Sequence, residues 1–262
     1  RHSQMIASGG AIGTGLFMGS GKTLAVSGTS IILTYLIIGF FFFFVMRAMG
    51  ELLLSNTNYK SFADFATAYL GPWVGFFLGW SYWLSWIVTA IADVLVIGGY
   101  AQFWYPDLPA WIPAFSSIVI LTVLNFVAVK LFGEVEFWFA LIKIVAIILF
   151  LMVGIYLVTI SFVSPDGVKA SLAHVIDRQS MFPYGVGGVL AGFQIAVFAF
   201  VGIELVGTTA AETKDPHTAL PRAINSIPLR ILLFYVGALV CIIAVTSWAH
   251  ISPDKSPFVE MF

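Results

Sequence analysis

A glycine-rich stretch near the start of the chain limits the available folds more than any other feature. Residues 9–15 read Gly-Gly-Ala-Ile-Gly-Thr-Gly and lie inside an apolar segment of membrane-spanning length. Because glycine is a poor helix former, this density of glycine predicts a break in the helix. Unpaired backbone groups cost several kcal/mol each in hydrocarbon, so a break is tolerated only where it is buried in protein or lines a cavity. The stretch therefore predicts a broken transmembrane helix beside a polar cavity.

The composition places the chain in a membrane. Hydrophobic residues make up 60% of the 262 residues and charged residues 10%, whereas a soluble domain averages about 25% charged residues. The net charge of −1 argues against a nucleic-acid partner. The single cysteine, Cys241, excludes a disulfide framework, and the histidines have no metal-binding spacing. We expect an integral membrane protein in contact with the lipid bilayer, with no nucleic-acid partner, no metal and no obligate protein partner.

Seven apolar segments are long enough to span a bilayer, which takes about 20 residues. They cover approximately residues 5–27, 30–54, 72–104, 111–131, 135–160, 187–212 and 224–248. The sixth contains a second break, the sequence Phe-Ala-Phe-Val-Gly-Ile-Glu-Leu-Val-Gly at 198–207. The third carries Gly71, Gly75 and Gly79 at four-residue spacing, which predicts close helix packing. Lysine and arginine are more numerous on the side of the N-terminus, which places that terminus in the cytoplasm.

This topology gives the two broken spans opposite directions, which an inverted repeat of five spans explains. Transporters with broken helices use such repeats. We therefore predict an all-α polytopic membrane protein with a LeuT-like five-plus-five inverted-repeat fold. The first repeat covers residues 1–160, an external connector covers 161–186, and the second repeat begins at 187–262. The chain is expected to be a fragment, truncated after the seventh span and without its cytoplasmic N-terminal tail.

The first break predicts a binding site for an anionic group. If Gly13, Thr14 and Gly15 open a helix, its free N–H groups and positive dipole end suit an amino-acid carboxylate. Thr14 adds a hydroxyl donor. The alternative is that the glycines only permit close helix packing, which their four-residue spacings also allow. Phosphate-binding glycine motifs do not fit this stretch, so nucleotide binding is excluded.

Three charged residues fall inside predicted spans, where charge is costly and commonly functional. Glu204, at the second break, is either a polar lining group or proton relay, or a protonated carboxyl group that holds the break in shape. Lys143 lies about two turns inside the fifth span, roughly 12 Å deep. It is a candidate proton carrier because burial favours the neutral amine, or it stays charged and replaces a bound cation. The alternative is that its side chain extends along the helix to the membrane interface. Asp93 either contacts a substrate amine or pairs with a polar neighbour, and Phe198 is a candidate gate.

Several motifs resemble a known family. They are GGAIGTGLFMGSG (9–21), FFVMRAMGELLLSN (43–56), FGEVEFWFALIKIVAI (132–147) and FVGIELVGTTAAETKDP (200–216). These motifs resemble the amino acid transporter family of the amino acid–polyamine–organocation superfamily. AGFQIAVFAFVGIE (191–204) and LPRAINSIPLRI (220–231) are similar to its D-serine/D-alanine/glycine permease branch. The resemblance covers essentially the whole chain.

The resemblance implies specific roles for individual residues. The substrate carboxylate would meet Thr14 and Gly15, with Gly13 opening the turn. The substrate amine would meet the backbone carbonyls of Ala11, Phe198 and Val201. Lys143 matches a fifth-span lysine that replaces the sodium ion of sodium-coupled relatives.

The resemblance also implies an activity and a location. It implies proton-coupled uptake of small neutral amino acids such as D-serine, D-alanine and glycine at a bacterial inner membrane. The proton would be the coupling ion, with no cofactor. An enzyme is not expected, because no nucleophile–base or metal constellation is present. The alternatives are a permease of the same fold for proline, an aromatic amino acid or 4-aminobutyrate, an exchanger without proton coupling, and an amino acid sensor.

Overall fold

The computed structural model describes residues 12–56, 58–59, 61–127, 132–164, 167–205, 216–252 and 256–260. The chain is helical through most of these ranges, and their only β-pairing is an isolated antiparallel bridge between Val163 and Lys169. In chain order the helices are α1 (Thr14–Phe17), α2 (Gly19–Ser27), α3 (Ile31–Ser55), α4 (Phe62–Leu70), α5 (Pro72–Trp104), α6 (Trp111–Val127), α7 (Phe132–Thr159), α8 (Ala173–Ile176), α9 (Arg178–Met181), α10 (Gly185–Phe198), α11 (Pro216–Thr246) and α12 (Pro257–Glu260). Short 3₁₀ turns cover Gly28–Ser30 and Trp248–His250. The all-α prediction is confirmed.

The long helices follow the predicted spans. The segments Gly19–Ser55, Pro72–Trp104 and Phe137–Thr159 are long and apolar enough to cross a membrane, and shorter apolar helices cover Trp111–Phe126, Gly185–Phe198 and Ile231–Thr246. The largest difference is at α11, which begins at Pro216 rather than near residue 224. Proline suits the first helical position, where its missing N–H has no intrahelical partner.

A glycine ends the first broken span. Gly28 has a φ of 61° and separates α2 from α3. A side chain there would also overlap the Ser180 carbonyl and the ring of Pro183. Only glycine combines this left-handed conformation with so close a neighbour.

The described chain divides into two compact units. One contains the described residues of Arg1–Glu51 and Phe137–Phe262, and the other those of Leu52–Glu136. These bounds differ from the predicted repeats, which concern internal symmetry rather than compactness. The division into repeats therefore stays a prediction.

In the second unit, α4 packs closely on the start of α5. Ser61 and Asp64 form a capping box at the start of α4, with Ser61 N–H donating to Asp64 Oδ2 at 2.9 Å and Asp64 N–H to Ser61 Oγ at 3.2 Å. A side chain at Gly75 would overlap the Thr67 hydroxyl on α4. The predicted small-residue face is confirmed at Gly75.

In the first unit, α2 packs on α10 through glycine. A Cβ at Gly188 would lie 2.5 Å from the Val26 carbonyl, and one at Gly192 would lie 2.7 Å from Ser27 Cβ. The buried hydroxyl of Ser27 donates to the Thr23 carbonyl at 2.7 Å, so close packing leaves it with a partner. This contact brings together the two helices that carry the breaks.

Candidate functional site

The first break lies at Gly13. This residue is extended, with φ −140° and ψ −160°, and α1 begins at the next residue, Thr14. The Gly13 carbonyl accepts hydrogen bonds from Leu16 N–H at 3.1 Å and Phe17 N–H at 3.2 Å. Met18, with φ −114°, then separates α1 from α2. From Gly13 onward, the first span is therefore a single helical turn, a distorted residue and a second helix.

The second break begins where α10 ends, at Phe198. Ala199, Phe200 and Val201 donate their N–H groups to carbonyls three residues earlier, at 3.0, 3.0 and 3.3 Å. Such bonds are typical of 3₁₀ turns and tighten the chain. Gly202 follows with a φ of 99°, which favours glycine. The broken sixth span is thus confirmed.

The two breaks meet at Gly15. A Cβ at Gly15 would lie 2.5 Å from Ala199 Cα and 2.9 Å from the Phe198 carbonyl oxygen. Real Cβ atoms do not approach backbone so closely, so this contact requires glycine. The structure therefore brings Gly15 and Phe198 together, and Gly15 is closely packed against the backbone of the second break.

Gly13 has different surroundings. A Cβ at Gly13 would have no heavy atom of the described residues within 4 Å, and its φ of −140° is open to any residue. Among the described residues, the half-buried Gly13 thus borders free space next to the first turn of α1. Within the described part of the chain, Gly13 has room beside it for a ligand, whereas Gly15 does not.

The remaining residues predicted at the breaks lie in the expected elements. Thr14 is half-buried at the start of α1, and its carbonyl accepts from Met18 N–H at 2.8 Å. Phe198 and Val201 are also half-buried, and the Phe198 carbonyl accepts from Val201 N–H at 3.3 Å. A carbonyl has a second lone pair, which leaves acceptor capacity for a ligand amine. Ala11 lies outside the described residues.

Glu204 folds back onto its own break. Its Oε2 accepts a hydrogen bond from Gly202 N–H at 2.8 Å, and the side chain is half-buried. This hydrogen bond links two residues of the break, where the regular hydrogen bonds of the α-helix are interrupted. Glu204 therefore stabilises the conformation of the break. Whether Glu204 also carries a proton stays a prediction.

The other two predicted charges lie on separate helices. Lys143 is half-buried within α7, in the same compact unit as both breaks. Asp93 is half-buried on α5, in the other unit. The roles predicted for both residues stay predictions.

Sequence reasoning missed the aromatic residues behind the second break. Phe200 is 1% exposed, and its ring lies 5.5 Å from that of Tyr35 and 5.4 Å from that of Tyr235. The Tyr235 hydroxyl donates to the Ala199 carbonyl at 2.7 Å. Tyrosine inside an apolar span is a usable signal, because its buried hydroxyl needs a partner.

The segment after the seventh span was also missed. Ser256 Oγ donates to the Phe17 carbonyl at 2.6 Å, where α1 ends. The ring of Phe258 lies 4.9 Å from that of Phe17 and 4.6 Å from that of Phe150. These contacts satisfy an end carbonyl of the broken helix and cover its last residue.

Comparison with known proteins identifies this arrangement. A family model described as "Amino acid permease" matches residues 2–262. The chain belongs to the amino acid permease family. It is 64% identical over all 262 residues to the D-serine/D-alanine/glycine transporter of Escherichia coli K12, covering 56% of that protein. It is 52% identical to the amino-acid permease AapA of Bacillus subtilis 168, and 45% identical to the serine permease SerP1 of Lactococcus lactis MG1363, covering 56% and 59% of those proteins.

These similarities confirm the predicted family and the multi-pass membrane location. The chain spans little more than half the length of the permeases it matches. The permease family and the long apolar helices place the chain in the lipid bilayer.

Proposed function

We propose that the full-length protein is a proton-coupled symporter that takes up small neutral amino acids such as D-serine, D-alanine and glycine. The observation that carries the proposal is the meeting of two broken apolar helices at Gly15 and Ala199, with space beside Gly13 that no described residue fills. The N-terminal turn of α1 suits a carboxylate, and the nearby Phe198 carbonyl suits an amine. An amino acid presents both groups on one carbon atom.

The substrate class is proposed from two of the similar proteins. The Escherichia coli relative, 64% identical, is named for D-serine, D-alanine and glycine. The serine permease of Lactococcus lactis, 45% identical, is named for serine. A site built from backbone groups of the two breaks accepts what all amino acids share, and small side chains need little further space.

Proton coupling is proposed from Lys143. A half-buried amine on an apolar helix, in the same unit as both breaks, is suited to gain and lose a proton during the transport cycle. In this proposal no cofactor takes part, and the protein moves its substrate unchanged. We place it in the bacterial inner membrane with a cytoplasmic N-terminus.

Uptake of labelled D-alanine into proteoliposomes tests the proposal. The full-length protein is reconstituted, and uptake is measured with and without an inward proton gradient. We expect accumulation above the external concentration only with the gradient, and competition by unlabelled D-serine and glycine.

Other results would contradict parts of the proposal. Uptake that needs an amino acid inside the vesicle would identify an exchanger. Binding without flux would identify a sensor. Inhibition by proline, aromatic amino acids or 4-aminobutyrate, with none by D-serine, would assign another substrate.

A further inference from the structure

Two tyrosines from different spans lie together behind the second break. Tyr35 on α3 and Tyr235 on α11 are both 0% exposed, with ring centroids 5.9 Å apart. The ring of Phe200, which belongs to the break itself, packs against both. The three rings anchor one side of the break in the core of its unit.

The two hydroxyl groups have different surroundings. Tyr235 Oη donates to the Ala199 carbonyl at 2.7 Å. The Tyr35 hydroxyl has no hydrogen-bond partner within the part of the chain that the structure describes. The pair therefore contains one tyrosine that holds the break by a polar contact and one that contributes its ring.

Ala199 occupies a special position among the carbonyls of the break. The carbonyls of Ala196, Val197 and Phe198 accept N–H groups from the same turn. The carbonyl of Ala199 accepts its hydrogen bond from Tyr235, on another span. Because a buried carbonyl without a partner is costly, this bond favours the observed course of the chain.

The same residue is the contact point of the two breaks. The missing side chain of Gly15 would lie 2.5 Å from Ala199 Cα, and Ala199 is 2% exposed. A small movement of Ala199 therefore changes the distance between the helix start at Gly13–Gly15 and the carbonyl of Phe198. Both groups belong to the proposed substrate site.

We propose that Tyr235 is a positioning residue for substrate binding. Its hydroxyl holds the Ala199 carbonyl and so keeps the second break seated against Gly15. Tyr235 acts through Ala199 and does not touch the substrate. The inference rests on the proposed function, because its effect on binding is measured at the amino acid site formed by the two breaks.

The test compares Tyr235→Phe with Tyr35→Phe in the full-length protein. Both changes keep the buried ring and remove one hydroxyl, but only the first removes a hydrogen bond to the break. We measure KM and maximal uptake of D-alanine per inserted molecule, and hydrogen–deuterium exchange of the amides of residues 199–205.

For Tyr235→Phe we expect a KM roughly threefold to tenfold higher, the ratio that the loss of one hydrogen bond produces. We also expect faster amide exchange at Val201, Ile203 and Leu205. The Tyr35→Phe variant should match the wild type in both measurements. A merely structural role would instead lower the amount of inserted protein without changing KM.

Each remaining outcome decides against one of the two proposals. An unchanged KM and unchanged exchange in Tyr235→Phe, or equal changes in both variants, would overturn the role of Tyr235. If the wild type carries neither D-alanine nor a competing amino acid, the proposed function fails. In that case, faster amide exchange in Tyr235→Phe but not in Tyr35→Phe would still support the role of the Tyr235 hydroxyl in holding the second break. Equal exchange in the two variants would overturn that role.

Discussion

Two glycines of one motif, Gly13 and Gly15, lie two residues apart and face opposite kinds of surroundings. A side chain at Gly15 would meet the backbone of Ala199, whereas one at Gly13 would meet no atom of the described residues. Both positions have φ values that other residues adopt, so the difference between them is one of space and not of backbone strain. Substitution at each position therefore probes a different property.

Replacing the two glycines by alanine separates packing from binding. Gly15→Ala forces the two breaks apart, and overpacking of this kind costs about 1–3 kcal/mol. We expect a clear fall in melting temperature in detergent. Gly13→Ala should retain the wild-type melting temperature but raise the KM for D-alanine, because its methyl group enters the free space. A wild-type KM in Gly13→Ala would show that this space is not part of the site.

Substitutions at Glu204 separate its role in the conformation of the break from the role of its charge. Glu204→Gln keeps an oxygen that can accept the Gly202 N–H, whereas Glu204→Leu removes it. We expect Gln to retain the KM and melting temperature, and Leu to lose stability by about 1–3 kcal/mol, the cost of leaving a buried donor unpaired. The measurement is thermal unfolding with and without D-alanine. Loss of gradient-driven accumulation in Glu204→Gln, with KM intact, would instead assign a proton relay to Glu204.

At the scale of elements, the close packing of α4 on α5 depends on the small residue Gly75. A side chain at Gly75 would overlap the Thr67 hydroxyl, while a Cβ at Gly79 would meet Ala63 at an ordinary 3.6 Å. We expect Gly75→Ala to destabilise this unit by about 1–3 kcal/mol. Gly79→Ala is the matched control and should fold like the wild type. Limited proteolysis after Leu70, followed with temperature, would detect the difference, and equal cleavage of both variants would contradict it.

The short helix α9 in the predicted external connector has a pH-sensitive cap. The Asp177 carboxylate accepts hydrogen bonds from the Ser180 hydroxyl at 2.5 Å and from Ser180 N–H at 3.2 Å. The Ser180 hydroxyl contributes most to lowering the pKa of Asp177 below 3.8. Because the folded pKa lies below the unfolded one, this stabilisation is complete above the unfolded pKa and is lost as pH falls through the folded pKa.

The cap predicts a defined pH response. Amide protection of Arg178–Met181 should persist at neutral pH and decline as the pH falls below about 4. Ser180→Ala removes the strongest contact and should raise the pKa of Asp177 towards its ordinary value. A pH titration of the Asp177 side-chain carbon by NMR would measure both values, and an identical pKa in the variant would contradict the assignment.

At the scale of the whole molecule, the proposed proton coupling depends on the amine of Lys143, which gains and loses a proton. Lys143→Met should abolish gradient-driven accumulation, because the apolar side chain neither binds nor releases a proton. Lys143→Arg keeps a positive charge that is not released in proteins. We expect both variants to bind D-alanine and neither to accumulate it. Full accumulation in Lys143→Met would remove Lys143 from the mechanism, and accumulation in Lys143→Arg alone would assign it the role of a fixed cation.

The sequence by itself determined the class of the fold and the places where it breaks. Apolar runs of membrane length and glycine clusters act locally, through hydration and helix propensity, so periodicity and composition reveal them. The broken first and sixth spans were predictable for this reason, as was the close packing at Gly75.

Only the tertiary structure decided which residues meet. The contact of Gly15 with Ala199 joins positions far apart in the chain, and no local pattern encodes their distance. The hydrogen bond from Tyr235 to Ala199 could not be predicted from the sequence for the same reason. A buried tyrosine hydroxyl requires a hydrogen-bond acceptor, but the sequence does not say which carbonyl provides it. The different surroundings of Gly13 and Gly15 likewise follow from packing, because the two residues are chemically identical and their surroundings come from other spans.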